Sequence, residues 1–266
     1  MPRIAGRLLP VLLLAAGLAL PASAVPAAAL PASDPAATAL AAGATAGARA
    51  GAVLETRIIG RSVEGRPILA WRLGDPTSPV KAVFLATIHG NEAQPARILA
   101  DLRDGRPITG ADVWVVPYLN PDGYQHHSRR NAAGVDLNRN FPVHWIRQFG
   151  SYDSGPSAAS EPETRAIMAF LAAVRPRWVV SFHQPLYGVD RSYAKTRRLA
   201  HRLSRYLHLP RKRFTCNNGC HGTLTQWFNA TQPGRAITVE YGARMTWRQK
   251  QVTGPRGLLR TIHARR

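Results

Sequence analysis

The sequence predicts an α/β fold: one domain built on a mixed, mostly parallel twisted sheet sandwiched by helices. Three observations carry that expectation. Four apolar, β-rich runs, 80–89 (VKAVFLATIH), 111–119 (ADVWVVPYL), 177–183 (RWVVSFH) and 236–241 (AITVEY), are continuous rather than alternating, which suits strands buried on both faces. Helix-like segments separate them, the pattern of βα units. Finally, His89, Asn120, His183 and Glu240 close the four runs. Open α/β sheets bind ligands beyond the carboxyl ends of their strands, so polar residues placed there point to a site.

Taken in chain order, the N-terminus stands apart from this core. Residues 1–24 combine a basic start (MPRIAGR), an apolar stretch (LLPVLLLAAGLALP) and an Ala22-Ser23-Ala24 cleavage pattern. They read as a secretory signal. No cysteine lies near the cleavage point, so no membrane anchor is expected. Residues 25–52 are nearly all Ala, Pro, Gly, Ser and Thr, with too little to bury, and read as a linker or pro-segment. The folded domain is expected over 53–266. Its helices are expected at 94–103, 161–174, 194–208, 223–230 and 255–264, with Ser160 and Glu163 forming a capping box for the second.

The formal net charge is +20, and 31 of the 35 basic residues are arginine. Such a balance raises the idea of a surface for anionic polymers. The arginines are scattered, however, and the one dense run, KTRRLAHRLSRYLHLPRKR (195–213), has helical spacing. A solvated helix face is the favoured reading, and no nucleic-acid partner is expected. The only two cysteines, Cys216 and Cys220, flank Asn-Asn-Gly, which can turn the chain. In an exported protein they are expected to pair as a disulfide.

Alone, the H-x-x-E of His89 and Glu92 would usually be a satisfied polar pair at a strand end. Its neighbours change that reading. HGNE (89–92), NPDGY (120–124), RRNAAGVDLNRNFP (129–142), SEPET (160–164), SFH (181–183) and TVEYG (238–242) follow one another in the order seen in zinc carboxypeptidases. The chain resembles that family, of which carboxypeptidase A is the best-known member, over about residues 57–245. GRSVEGRPI (60–68) and CNNGCHGTLTQWFNA (216–230) look most like its bacterial murein tripeptide amidase branch.

The resemblance implies one zinc ion held by His89, Glu92 and His183, three protein ligands leaving a fourth position open to water. Glu240 would act as general acid/base on that water. Arg129 would polarise the scissile carbonyl, with Arg130 the alternative for that role. Asn138 and Arg139 would hold the substrate's terminal carboxylate, since a planar guanidinium binds carboxylate in bidentate fashion. Asp136 would orient His89. Leu224 and Thr225 would line the pocket, and the bond Gln184-Pro185 would be cis. The classical family places a tyrosine shortly before the Gly-Ser/Thr of its specificity segment; the stretch before Gly222 here has none. A different pocket lid is therefore expected.

The implied activity is that of an exported zinc metallopeptidase, secreted or periplasmic, cutting the amide bond to a terminal residue with a free carboxylate. The γ-D-glutamyl–diaminopimelate bond of murein peptides is the expected substrate. The alternatives are general carboxypeptidase action on ordinary peptides, N-acyl-amino-acid deacylation, or a catalytically dead module that holds cell-wall peptide.

Overall fold

The computed structural model describes residues 52–215 and 220–266, all within one compact unit, Arg49–Arg266. Its frame is an eight-stranded sheet. In chain order the strands are β1 (Val53–Arg61), β2 (Pro67–Gly74), β3 (Lys81–Leu85), β4 (Asp112–Val116), β5 (Trp178–His183), β6 (Leu186–Asp190), β7 (Arg211–Lys212) and β8 (Arg235–Gly242). The spatial order is β1-β2-β4-β3-β5-β8-β6-β7. The central four, β4-β3-β5-β8, are mutually parallel, while β1–β2, β2–β4 and β6–β8 pair antiparallel. The expected mixed sheet is thus what the chain forms.

The four apolar runs became this parallel centre because every side chain of Asp112–Val116 and all but the first of Lys81–Leu85 and of Trp178–His183 are buried. Among the described residues six α-helices cover the sheet or its rim: α1 (Ala96–Asp104), α2 (Pro121–Gln125), α3 (Pro162–Val174), α4 (Arg197–Leu207), α5 (Leu224–Thr231) and α6 (Gly254–Thr261). On one face, Ile98, Leu99 and Leu102 of α1 join Leu199 and Leu203 of α4 and Leu258 and Leu259 of α6 in a single core cluster. On the other, Ile167, Phe170 and Leu171 of α3 pack with Leu224, Trp227 and Phe228 of α5. Each such fully buried side chain contributes about 1.5–3 kcal/mol. No helix among the described residues is long and apolar enough to cross a membrane.

Three expectations need correction. The run 80–89 is not a strand to its end: β3 stops at Leu85, and Thr87 takes a left-handed φ of 56°. His89 therefore stands on a loop beyond the strand. The capping box at α3 does not form, because Pro162 starts the helix and Glu161 is its N-cap residue. Glu163 instead turns inward and accepts from Val63 N–H at 3.1 Å and Asn131 Nδ2 at 3.1 Å. A capping box does form at α5, between Thr223 and Gln226. Finally, β1, β2, β6 and β7 lie outside the four runs: β1 is a solvated edge strand, and β6 and β7 are short.

Candidate active site

The site sits at the carboxyl ends of β3, β5 and β8. Two glycines bring its first piece into place. A Cβ on Gly90 would lie 1.9 Å from the Gly123 backbone carbon, and one on Gly123 would lie 2.4 Å from Asn120 Nδ2. HGNE and NPDGY thus pack backbone to backbone. Asn120 locks the contact, donating from Nδ2 to Ile88 O at 3.3 Å while its Oδ1 accepts from Gly123 N at 2.8 Å. His89 and Glu92 then share one turn, with Glu92 N donating to His89 O at 3.1 Å.

His183, at the end of β5, faces them. His89 Nδ1 and Glu92 Oε1 are 2.9 Å apart, His183 Nδ1 and Glu92 Oε2 3.1 Å, and the two Nδ1 atoms 3.3 Å. These three residues form the one group of metal-ligand type among the described residues. Their fit to zinc can be tested on the page. Tetrahedral zinc with bonds of about 2.0–2.1 Å separates its ligand atoms by about 3.3 Å, close to the observed spacing. The outer nitrogens are already engaged: His89 Nε2 meets Asp136 Oδ1 at 3.1 Å, and His183 Nε2 meets Ser181 Oγ at 3.0 Å. Both Nδ1 atoms are therefore directed inward. Burial works against a charged His89, but the Glu92 and Asp136 carboxylates outweigh it and push the imidazole pKa up to about 9. The cradle calls for positive charge at its centre, which a divalent zinc would supply.

Around the cradle lies a cavity of about 840 Å³ lined by His89, Glu92, His183, Glu240, Arg129, Asn138, Arg139 and Thr225, among others. Glu240 pairs in register with His183 across β5 and β8. Its Oε2 accepts from Leu186 N at 3.2 Å. Burial raises its pKa above the ordinary carboxylate value, opposed by the neighbouring His183. Arg129 donates from Nε to Asp136 Oδ2 at 2.9 Å and from Nη1 to Glu92 Oε1 at 3.3 Å. Arg130, by contrast, is exposed and donates to Gly150 O. Of the two arginines, Arg129 is the one in the cavity wall.

Asp136 is fully buried and N-caps the turn Leu137–Arg139 through Asn138 N. Burial alone would raise its pKa, yet His89 and Arg129 hold it well below the usual carboxylate range. The turn presents Asn138 and Arg139 to the cavity. Asn138 Oδ1 accepts from Leu224 N at 3.0 Å, which leaves the amide NH2 as the group on offer. Arg139 donates to Asn138 O at 2.8 Å and is 6% exposed.

Leu224 is the correction here. It does not line the cavity but is fully buried in the core as the first residue of α5. Leu224 and Thr225 open α5 about 100° apart around its axis, so Leu224 turns into the core and the wall falls to Thr223 and Thr225. Of the expected disulfide, Cys220 lines the cavity, while Cys216 lies outside the described residues. Among the described residues no cysteine is free. The Gln184-Pro185 bond is cis as expected.

Several participants escaped the sequence reading. Ser181 could have been found, since it stands two residues before His183 on the same strand face. Gln184 and Gln94 knit the three strand-end loops: Gln184 N donates to Glu92 Oε2 at 3.1 Å and Gln184 Nε2 to Gly242 O at 2.7 Å, while Gln94 Nε2 reaches Ala243 O at 2.7 Å. Tyr152 stacks against Arg129 and Arg139, with centroid distances of 5.3 and 5.4 Å, and Tyr193 and Asp190 complete the wall. Nothing in their local sequence marks them.

The fold and the site define an α/β protein with a histidine–carboxylate metal cradle opening on an arginine-walled cavity. The sequence profile of the zinc carboxypeptidases matches residues 45–212. The chain belongs to the zinc carboxypeptidase family. Murein peptide amidase A of Escherichia coli K12 is 37% identical over 150 residues, covering 51% of this chain and 61% of that protein. The Vibrio campbellii protein of the same name is 31% identical over 156 residues, covering 53% and 62%. The chain thus spans about three-fifths of the length of these curated relatives. The crystal structure of murein-tripeptide amidase MpaA from Escherichia coli O157 superposes with a TM-score of 0.64 at 26% identity, covering 80% of this chain and 94% of that one. Carboxypeptidase A from Helicoverpa armigera shares the fold, with a TM-score of 0.65 at 19% identity over 79% of this chain and 69% of that one.

Proposed function

We propose that this protein is an exported zinc metallopeptidase that hydrolyses the amide bond to a terminal residue bearing a free carboxylate, and that its substrate is the γ-D-glutamyl–diaminopimelate bond of murein peptides. The observation that carries the reading is the convergence of the cradle, Glu240, Arg129 and Arg139 on one cavity. His89, Glu92 and His183 would hold the zinc. When bound, zinc polarises the scissile carbonyl and acidifies a water for attack at neutral pH. Glu240 takes a proton from the attacking water and hands it to the departing amine nitrogen as the C–N bond breaks. The hydrogen bond from Leu186 N, the one it receives among the described residues, aims it, and its raised pKa suits a group that must both accept and release a proton. Arg129 donates to the developing oxyanion, while Arg139 and the Asn138 amide hold the terminal carboxylate.

Asp190 supports the choice of substrate. β6 runs antiparallel to β8 with Gly188 opposite Glu240 and Val189 opposite Val239. The next position puts Asp190 level with Thr238, about 7 Å along the sheet from Glu240. Its Oδ1 accepts from Ser192 N at 2.9 Å and Ser192 Oγ at 2.6 Å. It belongs to none of the ion pairs among the described residues, although it lines the cavity. A side-chain ammonium on the departing residue, as in diaminopimelate, would complete it.

Export rests on the signal pattern of residues 1–24, with 25–52 as a linker and 53–266 as the catalytic domain. A Cys216–Cys220 disulfide would suit that compartment. The test is product analysis by mass spectrometry. The zinc-loaded protein is given L-Ala-γ-D-Glu-diaminopimelate beside ordinary L-peptides. Release of diaminopimelate alone is expected; trimming of ordinary C-terminal residues alone would make the protein a general carboxypeptidase.

A further inference from the structure

Charge is distributed very unevenly along the chain. Residues 1–190 carry 18 Lys and Arg against 14 Asp and Glu, whereas residues 191–266 carry 17 against one. That one acid is Glu240, buried in the hydrolytic cavity. Of the 17 cations, only Arg266 makes an ion pair among the described residues, with Asp101. The C-terminal third is therefore a cation source with almost no internal counterion.

The fold gathers these cations. Leu199, Ala200, Leu203 and Leu207 commit one side of α4 to the core, which turns Arg197, Arg198, His201 and Arg205 outward. Like charges three and four residues apart on a helix repel. A cavity of about 390 Å³ is lined only by Arg197, Arg198, His201, Arg202 and Arg211. Beside it, a second cavity of about 510 Å³ is lined by Arg106, Arg256, Arg260, Arg265, Arg266 and a few others, with Asp101 its one acid. The two abut where α4 meets α6: Arg202 Nη2 donates to Arg260 O at 3.2 Å. Neither cavity shares a lining residue with the hydrolytic one.

We propose that the α4–α6 face is a docking surface for a linear, phosphate-bearing polymer of the cell envelope, of the poly(glycerol phosphate) kind. Guanidinium groups match phosphate oxygens in bidentate geometry, and two adjoining cavities accept successive phosphates of one chain. Neither lining contains a Phe, Tyr or Trp; His201 is the one ring on which a nucleic-acid base could stack, too little for a base-by-base platform. Their apolar members, Leu259 and Ala264, are buried, so nothing there enters a bilayer. The surface would hold the enzyme in the wall while the hydrolytic cavity stays free. The choice of an envelope polymer rests on the proposed export, while the surface itself is independent of the hydrolytic reading.

The test measures binding of the full chain to a fluorescein-labelled poly(glycerol phosphate) by anisotropy across a salt series. With four phosphates engaged, affinity should fall about 50-fold between roughly 50 and 200 mM salt. The triple variant Arg197→Gln/Arg198→Gln/Arg211→Gln disables one of the two cavities, so with two phosphates still engaged it should bind more weakly and retain only about a sevenfold dependence over the same range. A control, Arg61→Gln/Arg165→Gln/Arg175→Gln, removes the same charge from exposed positions elsewhere. It should bind nearly as the parent does. Equal losses in both variants would mean that net charge alone sets binding and would overturn the site. Tighter binding to phosphatidylglycerol vesicles or to a single-stranded oligonucleotide than to the polymer would overturn the occupant. Melting temperatures and peptide hydrolysis should match the parent in both variants, which separates this outcome from any failure of the hydrolytic reading.

Discussion

Two buried carboxylate networks in this molecule look alike and do different work. At the cavity of the metal cradle, Asp136 receives His89, Arg129 and Asn138 N. At the β1–β2 turn, Asp122 receives Ser62 Oγ at 2.7 Å, Glu64 N at 2.9 Å and Arg66 Nη1 at 2.6 Å. Both aspartates are fully buried and both have depressed pKa values. What differs is the destination of the network. Asp136 ends on residues that line a cavity; Asp122 ends on a hairpin turn and pins it to α2. Glu240 makes the contrast sharper, since it is buried with one hydrogen bond from Leu186 N and its pKa moves up. A fully satisfied carboxylate anchors, and an under-satisfied one facing a cavity is available for proton transfer.

The largest expected effect tests that last statement. Glu240→Gln keeps the shape and the bond from Leu186 N but removes the proton acceptor. Turnover should fall by about 10²–10⁴-fold. Zinc content by atomic absorption should stay at one per chain, with the melting temperature unchanged. Loss of zinc along with turnover would mean that Glu240 belongs to the cradle rather than to proton transfer.

What the sequence made legible follows the same division. His89, Glu92, His183 and Glu240 were legible through the resemblance, since six motifs stand in the order of the zinc carboxypeptidases, and the structure brings the four to one cavity. The buried parallel strands were legible because continuous apolar runs have few other uses. Pocket walls were not. Leu224 and Thr225 are neighbours with equal claim on a motif, but they lie about 100° apart around α5, and only the docking of that helix on the core decides which one faces the cavity. Tyr152, Tyr193 and Asp190 enter through tertiary packing of segments far apart in the chain, which leaves no local pattern. The solvated edge strand β1 and the short β6 lack the apolar run that betrays a central strand.

Asp136→Asn is expected to have the next largest effect, and it tests the network that opens on the cavity. It weakens the support of His89 without touching a zinc ligand. Zinc affinity should fall by about 10–100-fold, read by competition with a chromophoric chelator. Activity should recover in excess zinc. If stability falls instead and zinc affinity does not, the two aspartate networks are equivalent anchors and the contrast fails.

Asp122→Asn is the counterpart with the smallest effect on catalysis. The amide cannot accept all three donors, and a buried network to a charged group is broken at a cost on the order of 2 kcal/mol. Zinc affinity and turnover should stay near those of the parent, because Asp122 does not line the cavity. The pH dependence gives an independent check. Burial would raise the Asp122 pKa, but the Glu64 N–H, Ser62 hydroxyl and Arg66 guanidinium lower it on balance. A carboxylate with a depressed folded pKa contributes its full stability above the unfolded value of about 3.9 and loses it as pH falls through the folded value. Urea unfolding should therefore separate parent and variant most at neutral pH and bring them together in acid. A gap that widened in acid would place the stabilising charge elsewhere and leave the hairpin without its proposed anchor.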